Sequence, residues 1–143
     1  MSIKKQEFYE GAALHLLIRN GLVRNIRYNM PFFVINENLI VLLKYSTRVR
    51  SPWGFTFTAD EQNNLQRRAT ESEVVIGLVC GADGVAALPF ADFLKIAALR
   101  NSSIHIACYR NHWKQYDVRG PNGNLSWKVS PSNWQRILDT KGE

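Results

Sequence analysis

The stretch Ile40-Val41-Leu42-Leu43-Lys44-Tyr45-Ser46 sets one cation at the end of an apolar run. A charge there costs free energy unless it reaches water or a partner. Lys44 therefore reads either as a strand-end residue whose stem packs while its ammonium snorkels out, or as a group with chemistry to perform. Just beyond it, Thr47-Arg48-Val49-Arg50-Ser51-Pro52-Trp53 places two guanidinium groups ahead of a tryptophan. Guanidinium groups contact phosphates and an indole can stack on an unpaired base. Trp53 also opens a strand pattern, which makes it a core candidate. Near the C-terminus Trp113, Lys114, Tyr116, Arg119, Trp127 and Lys128 interleave aromatics with cations. That suits a nucleic-acid or protein contact surface, although a small hairpin also needs aromatics for packing. His105, Cys108 and His112 are metal-ligating types, but no CxxC pair accompanies them. Strand alternation sends His105 and Cys108 to opposite faces, so no metal site is expected there. Phosphate loops, GxSxG and a Cys–His nucleophile arrangement are absent.

These residues need elements to hold them. Residues 6–19 read as a helix with an apolar face of Phe8, Ala12, Ala13, Leu16 and Leu17, stopped by Asn20-Gly21. Short strands follow at 22–28 and 32–35, then a turn at Asn36-Glu37-Asn38 leads into the Lys44 strand. An unbroken Val/Ile/Leu run predicts a strand buried on both faces, central in its sheet. Trp53 to Thr58 alternates with period two and reads as a half-buried strand. Thr58 and Glu61 form a capping box for a polar helix over 59–72. Another buried strand covers 74–80, with Gly81-Ala82-Asp83-Gly84 turning into 85–88. A helix is expected at 90–99, strands at 104–109, 115–118 and 125–129, and a last helix after Pro131.

The order helix, strands, Lys44 strand, strand, helix, strand over residues 6–80 resembles the core of the PD-(D/E)XK nucleases, most nearly the small resolvase-like members. The resemblance implies an α/β fold with a central mixed sheet flanked by helices. It also implies a site in which a helix glutamate, an acid at a strand turn and the (D/E)xK pair gather Mg²⁺. Carboxylates suit that hard ion, and the lysine stabilises charge or positions the attacking water. Glu10 (or Glu7) matches the helix acid, Glu37 falls near the turn acid and Lys44 matches the lysine. Leu42 stands where the (D/E) acid belongs, on the same strand face as Lys44. Without it, a degenerate site is expected, with no metal or other cofactor; an intact enzyme would be a Mg²⁺-dependent endonuclease. Lys44 would then pair with Glu10.

The chain's 143 residues fit one domain, 1–143, with a nuclease-like core over 1–100 and a hairpin-and-helix extension over 101–143. Its net charge of +6 is uneven: +5 over residues 1–58, −3 over 59–99 and +4 over 100–143. Such a distribution suits a polyanion if the basic segments share a face, and otherwise is an ordinary positive balance. The expectation is a cytoplasmic protein that holds DNA or RNA by phosphate contacts, with Arg48, Arg50, Trp53, Lys114, Arg119 and Lys128 as its nucleic-acid-binding residues. The alternative is a bacterial immunity or accessory protein that binds an acidic protein partner. No run approaches the ~20 apolar residues of a membrane span, and the two cysteines read as buried thiols.

Overall fold

The computed structural model describes residues 2–112 and 114–139. Its elements are α1 (Lys5–Ile18), β1 (Ile26–Asn29), β2 (Phe32–Ile35), β3 (Leu39–Ser46), β4 (Trp53–Phe57), α2 (Ala59–Ala69), β5 (Glu73–Cys80), β6 (Gly84–Pro89), α3 (Phe90–Ile96), β7 (Ile104–Tyr109), β8 (Asp117–Gly120), β9 (Gly123–Asn124) and α4 (Ser132–Gln135).

The chain is α/β, with a mixed five-stranded sheet in the order β1-β2-β3-β5-β6. β3 is its middle strand, antiparallel to β2 and parallel to β5. Residues 39–43 are all buried, as the unbroken apolar run predicts. Leu39, Val41 and Leu43 face one cluster with Ala13 and Leu17 of α1 and Trp134 of α4. Ile40 and Leu42 face the opposite cluster with Leu65 of α2 and Phe93 of α3. Helices therefore flank both faces, and α2 begins on the expected Thr58–Glu61 capping box.

Two expectations need correction. The first helix buries Ala13 and Leu17, with Tyr9 and Leu16 beside them, whereas Phe8 is 62% exposed. The buried stripe runs through 9, 13, 16 and 17, one position round from the face expected. The extension is also more than an added hairpin. β7 takes β4 as its neighbour, Trp53 opposite Cys108 through to Phe57 opposite Ile104. A second, antiparallel sheet results, in the order β4-β7-β8-β9. Its inner residues, among them Phe55, Phe57, Ile104, Ile106 and Val118, close on the Ile40/Leu42 face of the first sheet. The 125–129 strand reduces to a bridge between Tyr116 and Val129. Trp134 is fully buried and donates from Nε1 to the Ala13 carbonyl at 2.8 Å, locking the last helix onto the first. No helix among the described residues is long and apolar enough to cross a membrane.

Candidate functional site

Lys44 lies on the Ile40/Leu42 face of β3, turned toward α2. Its Nζ sits 2.7 Å from Glu61 Oε2 and 5.2 Å from the Phe57 ring centroid. The other Glu61 oxygen accepts the Thr58 backbone N–H at 2.9 Å. One carboxylate thus ties the start of α2 to the central strand. Glu10, the expected partner, is on α1 and forms no ion pair with Lys44; α1 packs on the other face of the sheet. It accepts instead from Gln6 Nε2 at 2.9 Å. Both groups still open on one small cavity of about 230 Å³, beside Pro31, Leu42 and Glu61. Burial raises the Glu10 carboxyl above its usual range, opposed by the Gln6 hydrogen bond and reinforced by Glu7.

Glu37 does not belong to this cavity. It occupies the exposed β2–β3 turn at φ 70°, at the far end of β3 from Lys44. From Leu39, the first residue of β3, to Lys44 the extended strand alone spans roughly 17 Å. The turn beside Lys44 is the β1–β2 turn, because Phe33 pairs with Val41 and so Phe32 falls opposite Leu42. Counting outward on both sides of Asn36-Glu37-Asn38 would have found this from sequence. Phe32 and Leu42 are 3% exposed and share one apolar cluster. The positions where acids would converge on Lys44 are therefore core positions. Both oxygens of Glu61 and one of Glu10 already hold other partners. This donor set does not suit Mg²⁺, which takes oxygen ligands in near-octahedral order.

Two consequences follow for stability. Replacing Glu61 by Ala leaves the half-buried Lys44 ammonium without its partner and removes half a capping box, an expected loss of about 1–3 kcal/mol. Lys44→Met keeps the stem over Phe57 and removes the charge, so urea denaturation should show a smaller loss. A larger loss in Lys44→Met would contradict the structural assignment. Glu10 has the opposite sign. Its folded pKa lies above the unfolded one, so the stability it contributes is complete below its unfolded pKa and lost as pH rises through the folded value. Glu10→Gln should raise the thermal midpoint near pH ~7 and change it little near pH ~3. An equal shift at both pH values would contradict this.

The basic residues gather elsewhere. The loop after β3 and the segments around β7 and β8 enclose two adjoining grooves, of about 720 and 520 Å³, which share Ser51 and Asn111. Arg50 and Arg110 line the first; Lys114, Arg119 and Lys128 line the second. Two acids position these cations. Asp83 accepts from Arg110 Nη1 and from the Tyr116 hydroxyl, each at 2.7 Å. That arrangement raises the Arg110 pKa, and burial above all raises that of Tyr116. Asp117 holds Arg119 at 2.8 Å and Lys128 at 3.2 Å. The Arg119 hydrogen bond lowers its pKa, with Lys128 adding to the effect. Arg50 and Lys114 take part in no ion pair among the described residues.

Sequence reasoning thus brought five of its six basic-site residues to these grooves: Arg50, Trp53, Lys114, Arg119 and Lys128. Trp53 is corrected in role, since it is 2% exposed and cannot stack on a base. Its Nε1 donates to the Arg48 carbonyl at 2.9 Å and shapes the loop. The same carbonyl lies where a Cβ at Gly81 (φ +55°) would intrude, so that turn needs glycine. Arg48 contributes backbone here, and its side chain lines neither groove. Arg110 was missed because it sat among candidate metal ligands. Of those, His105 is exposed and Cys108 buried, on opposite faces as alternation predicts. The Cys80 thiol is pushed up by its hydrogen bond to Cys108 and by burial, which keeps it protonated. Trp113 lies outside the described residues. Family models, curated proteins and solved structures offer no match to this chain.

Proposed function

We propose that this chain is a nucleic-acid-binding protein on a nuclease-like fold, its cleavage chemistry lost. The observation that carries the reading is the meeting of Arg50, Arg110, Lys114, Arg119 and Lys128 around two joined grooves. Cations that line a groove can meet backbone phosphates, contacts that read no sequence. The element order α1, β1, β2, β3, β4, α2, β5 supports the resemblance to PD-(D/E)XK nucleases. Apolar Phe32 and Leu42 support the loss of catalysis. Two unpaired, buried thiols suit a reducing cytoplasm.

The test has two arms. Purified protein with Mg²⁺ or Mn²⁺ should leave duplex, branched and single-stranded DNA uncut, and should retard the same DNAs at low salt. Cutting that disappears in Lys44→Ala would overturn the catalytic half; no retardation at low salt would overturn the binding half. A second reading, an immunity or accessory protein, is favoured by one other feature. Tyr28 and Met30, 54% and 78% exposed, line a groove between α1 and edge strand β1. Exposed apolar clusters of this kind mark protein contacts. Tight binding to a protein partner without any DNA or RNA shift would select it.

A further inference from the structure

The outer face of the second sheet carries a pattern that extends beyond the phosphate grooves. Its cross-strand row is Gly54, Ala107 and Arg119, set side by side on β4, β7 and β8. Adjacent strands lie about 4.8 Å apart, so two neighbouring small residues leave a flat floor one ring wide. That floor is a shallow depression of about 630 Å³. On one side Thr56 Oγ1 and His105 Nδ1 share a hydrogen bond of 3.0 Å and offer polar edges. On the other, the Arg119 guanidinium lies 4.2 Å from the Tyr109 ring centroid. Its Nε and Nη2 donate to Asp117 Oδ2 at 3.2 and 2.8 Å, which orients the guanidinium. Arg119 and Tyr109 also line the second cationic groove, so floor and groove are continuous.

From this juxtaposition we infer that the outer face of the second sheet is a platform for an unpaired nucleobase, and that the ligand is single-stranded nucleic acid. This rests on the phosphate-binding reading above and narrows it. A duplex offers its phosphates to the grooves but keeps its base faces stacked inside. A single strand can lay a base on Gly54 and Ala107, against the guanidinium plane, while its backbone follows Arg50, Lys114 and Lys128. Stacking of this kind is tolerant of sequence, because every base has a π-face. The sugar is not selected by any contact described, so DNA and RNA share the chemistry.

A side chain at Gly54 tests the platform directly. A Cβ there meets no atom within 4 Å, so Gly54→Leu fills the floor without displacing the strand. Fluorescence anisotropy would use labelled oligo(dT), oligo(U) and a mixed-sequence duplex, each about 15 nucleotides long. The wild type should bind both single strands at least ~5-fold tighter than the duplex. Gly54→Leu should lose about 5-fold or more on the single strands and keep its duplex affinity and salt slope. Ala107→Val, with its smaller side chain, should lose less. Equal wild-type affinity for single strands and duplex, or a Gly54→Leu loss that is the same on both, would overturn the platform while leaving phosphate binding standing. Absence of binding to all three probes would remove both.

Discussion

A Leu42→Glu protein is expected to lose roughly 3–5 kcal/mol of stability and to gain no nuclease activity. Leu42 is 3% exposed, and the register sets it beside Phe32 on one strand and Ile76 on the other. Removing its apolar contacts alone costs what a core leucine truncation costs, about 2–5 kcal/mol. A carboxylate in the same space must then be protonated, or must draw Lys44 away from Glu61 and so unfasten the start of α2. Neither outcome makes a metal site, because Phe32 still occupies the opposing position. Leu42→Met, of similar volume, should cost less than ~1.5 kcal/mol and serves as the control for size. Urea denaturation of the three proteins measures the first claim, and incubation of supercoiled plasmid with Mg²⁺ measures the second. A stable Leu42→Glu protein that nicks plasmid would mean that the corner around Lys44 remains a working site one acid short of complete.

That corner shows how far the sequence can be read. Lys44, its strand and its central place in the sheet were legible because a run of Val, Ile and Leu has few other places to go. The capping box at Thr58 and Glu61 was legible for a similar local reason. Lys44's partner was not, although the facts were present: period two sends residue 44 to the face of 40 and 42, while α1 packs on that of 39, 41 and 43. Misplacing the turn acid at Glu37 had the same root, a hairpin register left uncounted. The β4–β7 pairing lay further out of reach. Its ladder joins residues about fifty apart, and neither strand carries a local mark of its partner. Hence the five groove residues were each singled out as cations or aromatics, while their meeting depended on a contact that only the folded chain displays. Trp53 fell between these cases. An indole beside two arginines reads as a stacking group, yet its strand alternation already placed it inward, and burial prevailed.

Binding should be strongly salt-dependent, and the dependence should identify the cations. Among the described residues Arg50 and Lys114 have no acid to leave, and Lys128 is 59% exposed and shares Asp117 with Arg119. Arg110 is held between Asp83 and the Lys114 carbonyl, so it frames the groove more than it meets ligand. If Arg50, Lys114 and Lys128 each neutralise one phosphate of a single strand, the log–log slope of affinity against salt is about −2.1. Raising salt from about 50 to about 200 mM then weakens binding about 20-fold. In Arg50→Ala/Lys114→Ala the slope should fall to about −0.7, as expected for one remaining contact. Arg48→Ala is the informative comparison, since the same loop carries it and its side chain lines neither groove. It should leave the slope nearly unchanged, whereas a general field of positive charge would make it as damaging as Arg50→Ala. Anisotropy titrations of oligo(dT) across that salt range separate the two. Equal effects at positions 48 and 50 would mean that net charge, not the groove, holds the strand.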